Sequence, residues 1–165
     1  MSRFVLGIDP SGNFHEGKGI TGWCLLDTQT NKIAKFGYIS AQMYKSQVEY
    51  WDAHITLIDS LTGYYPDVVV EDFLIYGNRA NSLINSRIET AQLIGIIKYE
   101  CTKRGVQVAV QTAQMVKKRW TDSILVKKGY LKCKGKRYYI GTTVISDHIR
   151  DSVRHAVHYA TFRKR

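Results

Sequence analysis

Two short apolar runs in this chain each end in carboxylates, and no other feature narrows the possible folds so far. Phe4-Val5-Leu6-Gly7-Ile8-Asp9 leads into the turn residues Pro10-Ser11-Gly12. This is the pattern of a buried strand that delivers Asp9 to its C-terminal edge. Asp67-Val68-Val69-Val70-Glu71-Asp72-Phe73 is the second such run, and its continuous β-branched core suits a strand covered on both faces, as parallel strands are. Arg3 to Asp9, Thr21 to Asp27 and Ile33 to Ser40 read as three strands, with Thr28–Lys32 as the polar turn between the last two. A helix from Ala41 to about Leu61 follows, on the three- and four-residue recurrence of Val48, Trp51, Ile55, Ile58 and Leu61. The resulting β-β-β-α-β order sets the fourth strand parallel to the first and brings Glu71 to the sheet edge that holds Asp9. Two carboxylates at neighbouring strand ends repel each other unless a cation or a shared proton intervenes. The long Pro10–Gly19 connection, with its three glycines, either lies beside that edge or is a mobile insertion.

Beyond Glu71 the pattern is helical from about Arg79 to Lys103. Ile84, Ile88, Ala91, Gly95 and Tyr99 form one stripe, widened by Leu83, Leu93, Ile94, Ile96 and Ile97. A helix apolar most of the way round calls for burial on two sides, by its own sheet and by a second subunit, with Ile94 and Ile97 as expected interface positions. Val106 to Gln111 reads as a fifth strand, and Ala113 to about Val126 as one shorter helix carrying Lys117, Lys118 and Arg119. Lys127, Lys128, Lys132, Lys134, Lys136 and Arg137 then alternate with Tyr130, Tyr138 and Tyr139. This is a basic β-hairpin or flexible arm, suited to a phosphate backbone, with tyrosines available to stack on unpaired bases. The last helix starts at Ser146, an N-cap residue, and runs to about Phe162 on the stripe Ile149, Val153, Ala156 and Ala160. His148 and Asp151 lie about 60° apart on it, beside that stripe and on a common face with His155. Two ligand-type residues one turn apart can share a metal with strand-end acids.

Charge divides the chain. Residues 1–97 hold 7 Lys/Arg against 10 Asp/Glu, and residues 98–165 hold 17 against 4, for a net charge of +10 over 165 residues. An acidic half joined to a strongly basic one suggests a polyanion held over a metal site. No apolar run approaches the roughly 20 residues that span a bilayer. Cys24, Cys101 and Cys133 are odd in number and far apart, matching neither a disulfide framework nor zinc-ligand spacing. The expectation is a cytoplasmic protein with reduced thiols and no membrane association.

Gly7-Ile8-Asp9-Pro10-Ser11, Thr21-Gly22-Trp23, Val70-Glu71, Lys117 and His148-Ile149-Arg150-Asp151 together resemble the RuvC family of Holliday-junction resolvases, within the ribonuclease H-like superfamily. The chain looks most like the compact bacteriophage members. The resemblance covers nearly the whole chain and is loose between Gln111 and Ser146. It implies an α/β fold of the ribonuclease H-like type: a five-stranded mixed sheet, first three strands antiparallel and then parallel, with helices on both faces. One nuclease domain over residues 1–165 would carry the basic arm at about 127–142. The family's four metal-binding positions match Asp9, Glu71, His148 and Asp151, which implies two divalent ions about 4 Å apart, Mg²⁺ with Mn²⁺ as the other candidate. His148, where many members have aspartate and others histidine, lowers the negative charge and tilts the site toward Mn²⁺ as well as Mg²⁺. Asp72 and Asp147 are extra acids beside matched positions. No small-molecule cofactor is implied.

By the same resemblance Lys117, with Lys118 as substitute, lies near the scissile phosphate and stabilises the extra charge of the transition state. Lys118, Arg119, Lys127, Lys128, Lys132, Lys134, Lys136 and Arg137 would contact DNA, and Phe73 and Tyr76 would lie at the junction crossover. The arm has no clear counterpart in the family, so substrate selectivity is expected to differ. The implied activity is that of a metal-dependent, structure-selective endonuclease, resolving Holliday junctions and other branched DNA by paired phosphodiester hydrolysis. A homodimer would supply two sites related by a two-fold axis. The competing readings are a ribonuclease H acting on RNA–DNA hybrids and a non-catalytic branched-DNA-binding protein.

Overall fold

Side-chain alternation along the first two strands organises everything built on them. In the computed structural model, which describes residues 2–73 and 84–163, β1 (Phe4–Asp9), β2 (Ile20–Asp27) and β3 (Lys32–Ser40) form an antiparallel meander. β4 (Asp67–Asp72) and β5 (Val108–Thr112) extend it in parallel from β1, giving the order β3-β2-β1-β4-β5. Leu6, Ile8, Leu25, Val68 and Val70 point to one face, where α1 (Gln47–Leu61) and α2 (Ile84–Lys103) cover them. Val5, Cys24, Leu26 and Val69 point to the other, beneath α3 (Ala113–Arg119), α4 (Asp122–Lys127) and α5 (Asp147–Phe162). Period-two alternation explains why these strands read as unbroken apolar runs: both faces are dry. A second sheet of β6 (Lys132–Lys134), β7 (Arg137–Ile140) and β8 (Thr143–Ile145) lies between α4 and α5 in the chain. No helix among the described residues is long and apolar enough to cross a membrane. The mixed five-stranded sheet with helices on both faces is the architecture expected from the sequence.

Several boundaries differ from that expectation, each for a local reason. The helix expected from Ala41 begins at Gln47, after a 3₁₀ turn at Ala41–Met43. Ser46 caps it by accepting from the Glu49 amide at 3.2 Å, while the Glu49 carboxylate reaches back to the Lys45 amide at 2.8 Å. The single helix expected over Ala113–Val126 is two, because the Thr121 hydroxyl accepts from the Ile124 amide and starts a new helix after Trp120. The basic arm is neither a bare hairpin nor a flexible tail: Thr143–Ile145 adds a third strand, with Tyr138 opposite Ile145. On α2 the expected stripe faces outward. Ile88, Ala91, Gly95 and Tyr99 are exposed, and Leu93, Ile94, Ile97 and Cys101 enter the core. Two apolar stripes competed for one sheet, and the bulkier, which removes more area from water, took it. Ile94 and Ile97 are therefore core residues, not interface positions.

A buried polar cluster fastens the turn that follows Asp9. Thr21 accepts from the Ser11 amide at 3.1 Å, and the Tyr50 hydroxyl donates to the Ser11 carbonyl at 2.7 Å. His54 donates from Nδ1 to the Tyr50 carbonyl at 2.7 Å, so its Nε2 accepts from the Thr21 hydroxyl at 2.8 Å. Burial holds His54 neutral, with its pKa lowered to about 4 against the pull of the Tyr50 carbonyl. An unfolded histidine takes up a proton near pH 6.5, and the folded one resists until about 4. The contribution to stability is thus complete above pH 6.5 and is lost as pH falls toward 4. Melting temperature is expected to drop more steeply across that interval for the parent than for His54→Gln. Parallel slopes would show that His54 titrates freely in the fold.

Candidate active site

Parallel register sets the first two residues of the site. Ile8 pairs with Val70 and Glu71 with Gln111, so Asp9 at the end of β1 and Glu71 and Gln111, each one residue short of the end of its strand, stand at one level and, by alternation, on the face covered by α5. Ser146 caps α5 by accepting from the Ile149 amide, which starts the helix directly over that edge. His148, Asp151 and His155 then project from successive turns toward the strand ends.

Three acids meet there, each held by a protein partner. His148 Nδ1 donates to Asp9 Oδ2 at 2.9 Å. His155, fully buried, donates from Nε2 to Glu71 Oε2 at 2.8 Å and places Nδ1 3.1 Å from the Gln111 amide oxygen. Asp151 is shared by Lys117 Nζ at 2.8 Å on Oδ2 and by Arg154 on Oδ1. Burial pushes the Asp9 carboxyl, only 8% exposed, above the usual carboxylate range, and the charges of Glu71 and Asp151 add to the push against the His148 bond. His148 is raised by its bond to Asp9 against the cost of burial, with the charges of Asp9, Asp151 and Asp147 assisting. Burial lowers the Lys117 ammonium, yet the Asp151 bond and the charges of Asp151, Glu71 and Asp9 raise it overall. Lys117, about half exposed, is thus a cation that faces all three acids.

The donor set suits a hard divalent cation: carboxylate oxygens with one imidazole, at strand ends where mutual repulsion raises the free energy of the empty pocket. No group of three or more His, Cys, Asp or Glu among the described residues forms a ready cage, because each acid is turned to its own partner. Loading would require Asp151 and Asp9 to exchange Lys117 and His148 for the ion.

The other expected positions divide. Asp72 turns to its neighbour, accepting from the Phe73 amide at 2.9 Å, and Asp147 is exposed and paired with Arg150 at 2.8 Å. Glu71 and Asp151 are accordingly the members that face the pocket. Lys118 is exposed, and the Arg119 guanidinium stacks on Phe162 at 4.1 Å, away from the strand ends. Lys127, Lys128, Lys132, Lys134, Lys136 and Arg137 are all exposed. Phe73 is half-buried and packs on the α1–α2 core, and Tyr76 lies outside the described residues.

Two solved structures share this arrangement of elements. A structure of T. thermophilus RuvC in complex with Holliday junction substrate superposes with a TM-score of 0.69, at 16% identity over 97% of this chain and 96% of that one. The fold is that of RuvC. A second Thermus thermophilus RuvC structure gives a TM-score of 0.68, at 14% identity over 96% of this chain and 94% of that one. No protein-family model and no curated protein matches the sequence.

Within this RuvC fold three further residues frame the site without having been assigned a role from the sequence. His155 and Gln111 orient Glu71, and Arg154 grips Asp151. The signal for the helix residues was spacing: His155 follows His148 by seven and Asp151 by four, and Arg154 follows Asp151 by three, all helical neighbours. Gln111 had no comparable mark, since only register with Glu71 brings it in.

Proposed function

We propose that this chain is a metal-dependent endonuclease that resolves four-way DNA junctions by paired phosphodiester hydrolysis. The observation that carries the reading is the convergence of Asp9 and Glu71, on neighbouring parallel strand ends, with His148 and Asp151 of α5, under a half-exposed Lys117. Asp9, Glu71, His148 and Asp151 would hold Mg²⁺ or Mn²⁺, which when bound supply an activated water and neutralise the leaving oxygen. Lys117, released from Asp151, is placed to hold the scissile phosphate and stabilise the charge that develops on it. His155 keeps Glu71 in one orientation, as a hydrogen-bonded histidine does for a ligating carboxylate. Lys132, Lys134, Lys136 and Arg137, on a sheet of its own, offer the strand backbone a row of cations.

Paired cutting asks for two sites, and the outward stripe of α2 supports a homodimer. Ile88 is 49% exposed and Tyr99 63% exposed, with the small residues Ala91 and Gly95 between them. A stripe with a flat middle and bulky ends suits a second copy of the same helix. Ile88→Asp with Tyr99→Asp should yield a folded monomer on size-exclusion chromatography that has lost paired cutting. A variant that remains dimeric refutes this placement. For the activity itself, nicks are to be mapped on a synthetic four-way junction with Mg²⁺ and then Mn²⁺, beside a fork and an RNA–DNA hybrid. Paired nicks at symmetric positions are expected. Cleavage confined to the hybrid would make the chain a ribonuclease H, and binding without cleavage a DNA-binding module.

A further inference from the structure

We propose that the basic three-stranded sheet and Asp151 are joined by a fixed chain of side chains, Tyr138–Arg150–Asp122–Arg154–Asp151, through which the sheet's hold on DNA sets the orientation of the acid. Arg154 is the positioning residue of that chain. The inference rests on the nuclease reading above and adds to it a link between the gripping surface and the cutting site.

Asp122 is the hub. It stands in the first turn of α4, after the N-cap Thr121, where a carboxylate is favoured by the helix dipole. It takes an Nη of Arg154 and lies 3.1 Å from Arg150 Nε, an ion contact without a hydrogen bond. The Arg150 guanidinium sits 4.4 Å from the centre of the Tyr138 ring on β7. Tyr138 is also opposite Ile145 in the sheet, and Ile145 immediately precedes the Ser146 cap of α5. A displacement of the sheet thus reaches α5 by backbone and by side chain at one place.

Arg154 uses every side-chain nitrogen. Nε donates to the Trp120 carbonyl at 2.9 Å, one Nη binds Asp151 Oδ1 and the other binds Asp122 Oδ1, with only 8% of the residue exposed. A planar fork committed at three points has no alternative rotamer. Lys117, by contrast, reaches Asp151 Oδ2 from the open side, with about half of its side chain exposed. Oδ1 is therefore clamped from within, and Oδ2 is the oxygen free to change partners. A buried ion network adds little net stability, and the role assigned to this one is to hold the geometry of Asp151.

Three measurements on Arg154→Gln, Arg150→Gln and Tyr138→Leu test the chain: Mn²⁺ affinity by calorimetry without DNA, junction Kd, and kcat at saturating junction. Arg154→Gln is expected to weaken Mn²⁺ binding by about ten- to a hundredfold, as loss of a ligand's outer partner does, with junction Kd within twofold of the parent. Arg150→Gln should lower kcat at least about tenfold, by misplacing Asp151, again with Kd within twofold, and Tyr138→Leu should lower kcat at saturating junction by as much, whatever it costs in Kd. These two are of intermediate burial and carry the test if Arg154→Gln does not fold. Weaker junction binding with parental kcat in both would overturn the proposal and leave the sheet a DNA grip alone. If the parent cuts no branched DNA, the nuclease reading fails, and the Mn²⁺ titration still decides whether Arg154 positions Asp151.

Discussion

Asp9→Asn is expected to abolish junction cleavage, by at least about a thousandfold, without weakening the fold in metal-free buffer. The two halves of this expectation have one cause. Asp9 is nearly buried and is pushed above the usual carboxylate range by desolvation and by Glu71 and Asp151, despite the bond from His148. A carboxyl whose folded pKa is raised is disfavoured in its ionised form by folding, so at neutral pH it subtracts from stability and gives that back as pH falls. The amide is isosteric, keeps an oxygen for His148 and carries no charge to repel the other acids. In EDTA the variant should melt at or above the parental temperature. Added Mn²⁺ should then raise the melting temperature of the parent, as any ligand specific to the folded state does, and leave the variant where it was. Junction binding should persist, because the exposed lysines of the second sheet are untouched. A variant that cuts at the parental rate removes Asp9 from the site, and one that melts well below the parent in EDTA contradicts the repulsion argument.

What the sequence disclosed follows from which interactions are local. Strand-end acids, the Ser146 cap and the stripe of α5 are written in consecutive residues, so the parallel fourth strand and the approach of His148 and Asp151 to Asp9 and Glu71 could be read in advance. Long-range choices could not. Which stripe of α2 would face the sheet depended on competition for the same buried area, and Ile94 and Ile97 won it. The break at Trp120–Thr121 turned on a single hydroxyl cap inside a helical pattern. Lys117, far along the chain from Asp9 and Glu71, is marked for the site by the family resemblance alone and by no local pattern, and the fold sets all three acids before it. Arg154 was hidden for another reason: read alone, an arginine on an amphipathic helix is a solvated residue, and only the Trp120 carbonyl at the end of α3 and Asp122 at the start of α4 make it a buried clamp.

Gly22→Ala is expected to cost about 3 kcal/mol of stability and roughly a hundredfold in cleavage, from one added methyl. The site depends on how closely α5 lies on the sheet, and that distance is set by two residues without a β-carbon. A Cβ at Gly22 would fall 2.2 Å from the His148 carbonyl carbon and 2.5 Å from the Ile149 nitrogen, and one at Gly7 would fall 2.3 Å from the Ser152 oxygen. These are backbone atoms of α5, so no side chain can rotate aside and the helix itself must lift. At Gly22 the lift occurs under His148, which carries it away from Asp9 and tilts Asp151 away from Glu71. Gly63→Ala is the matched control, since nothing lies within 4 Å of the position, and its stability should stay within about 0.5 kcal/mol of the parent. Thermal melts and junction cleavage on the two variants separate the cases. Because the second sheet and its lysines stay on the surface when α5 shifts, Gly22→Ala should bind junctions better than it cuts them. Parental melting and cleavage in that variant would mean that the helix tolerates a wider seat, and that the fit of α5 to Gly22 is not what holds His148 against Asp9.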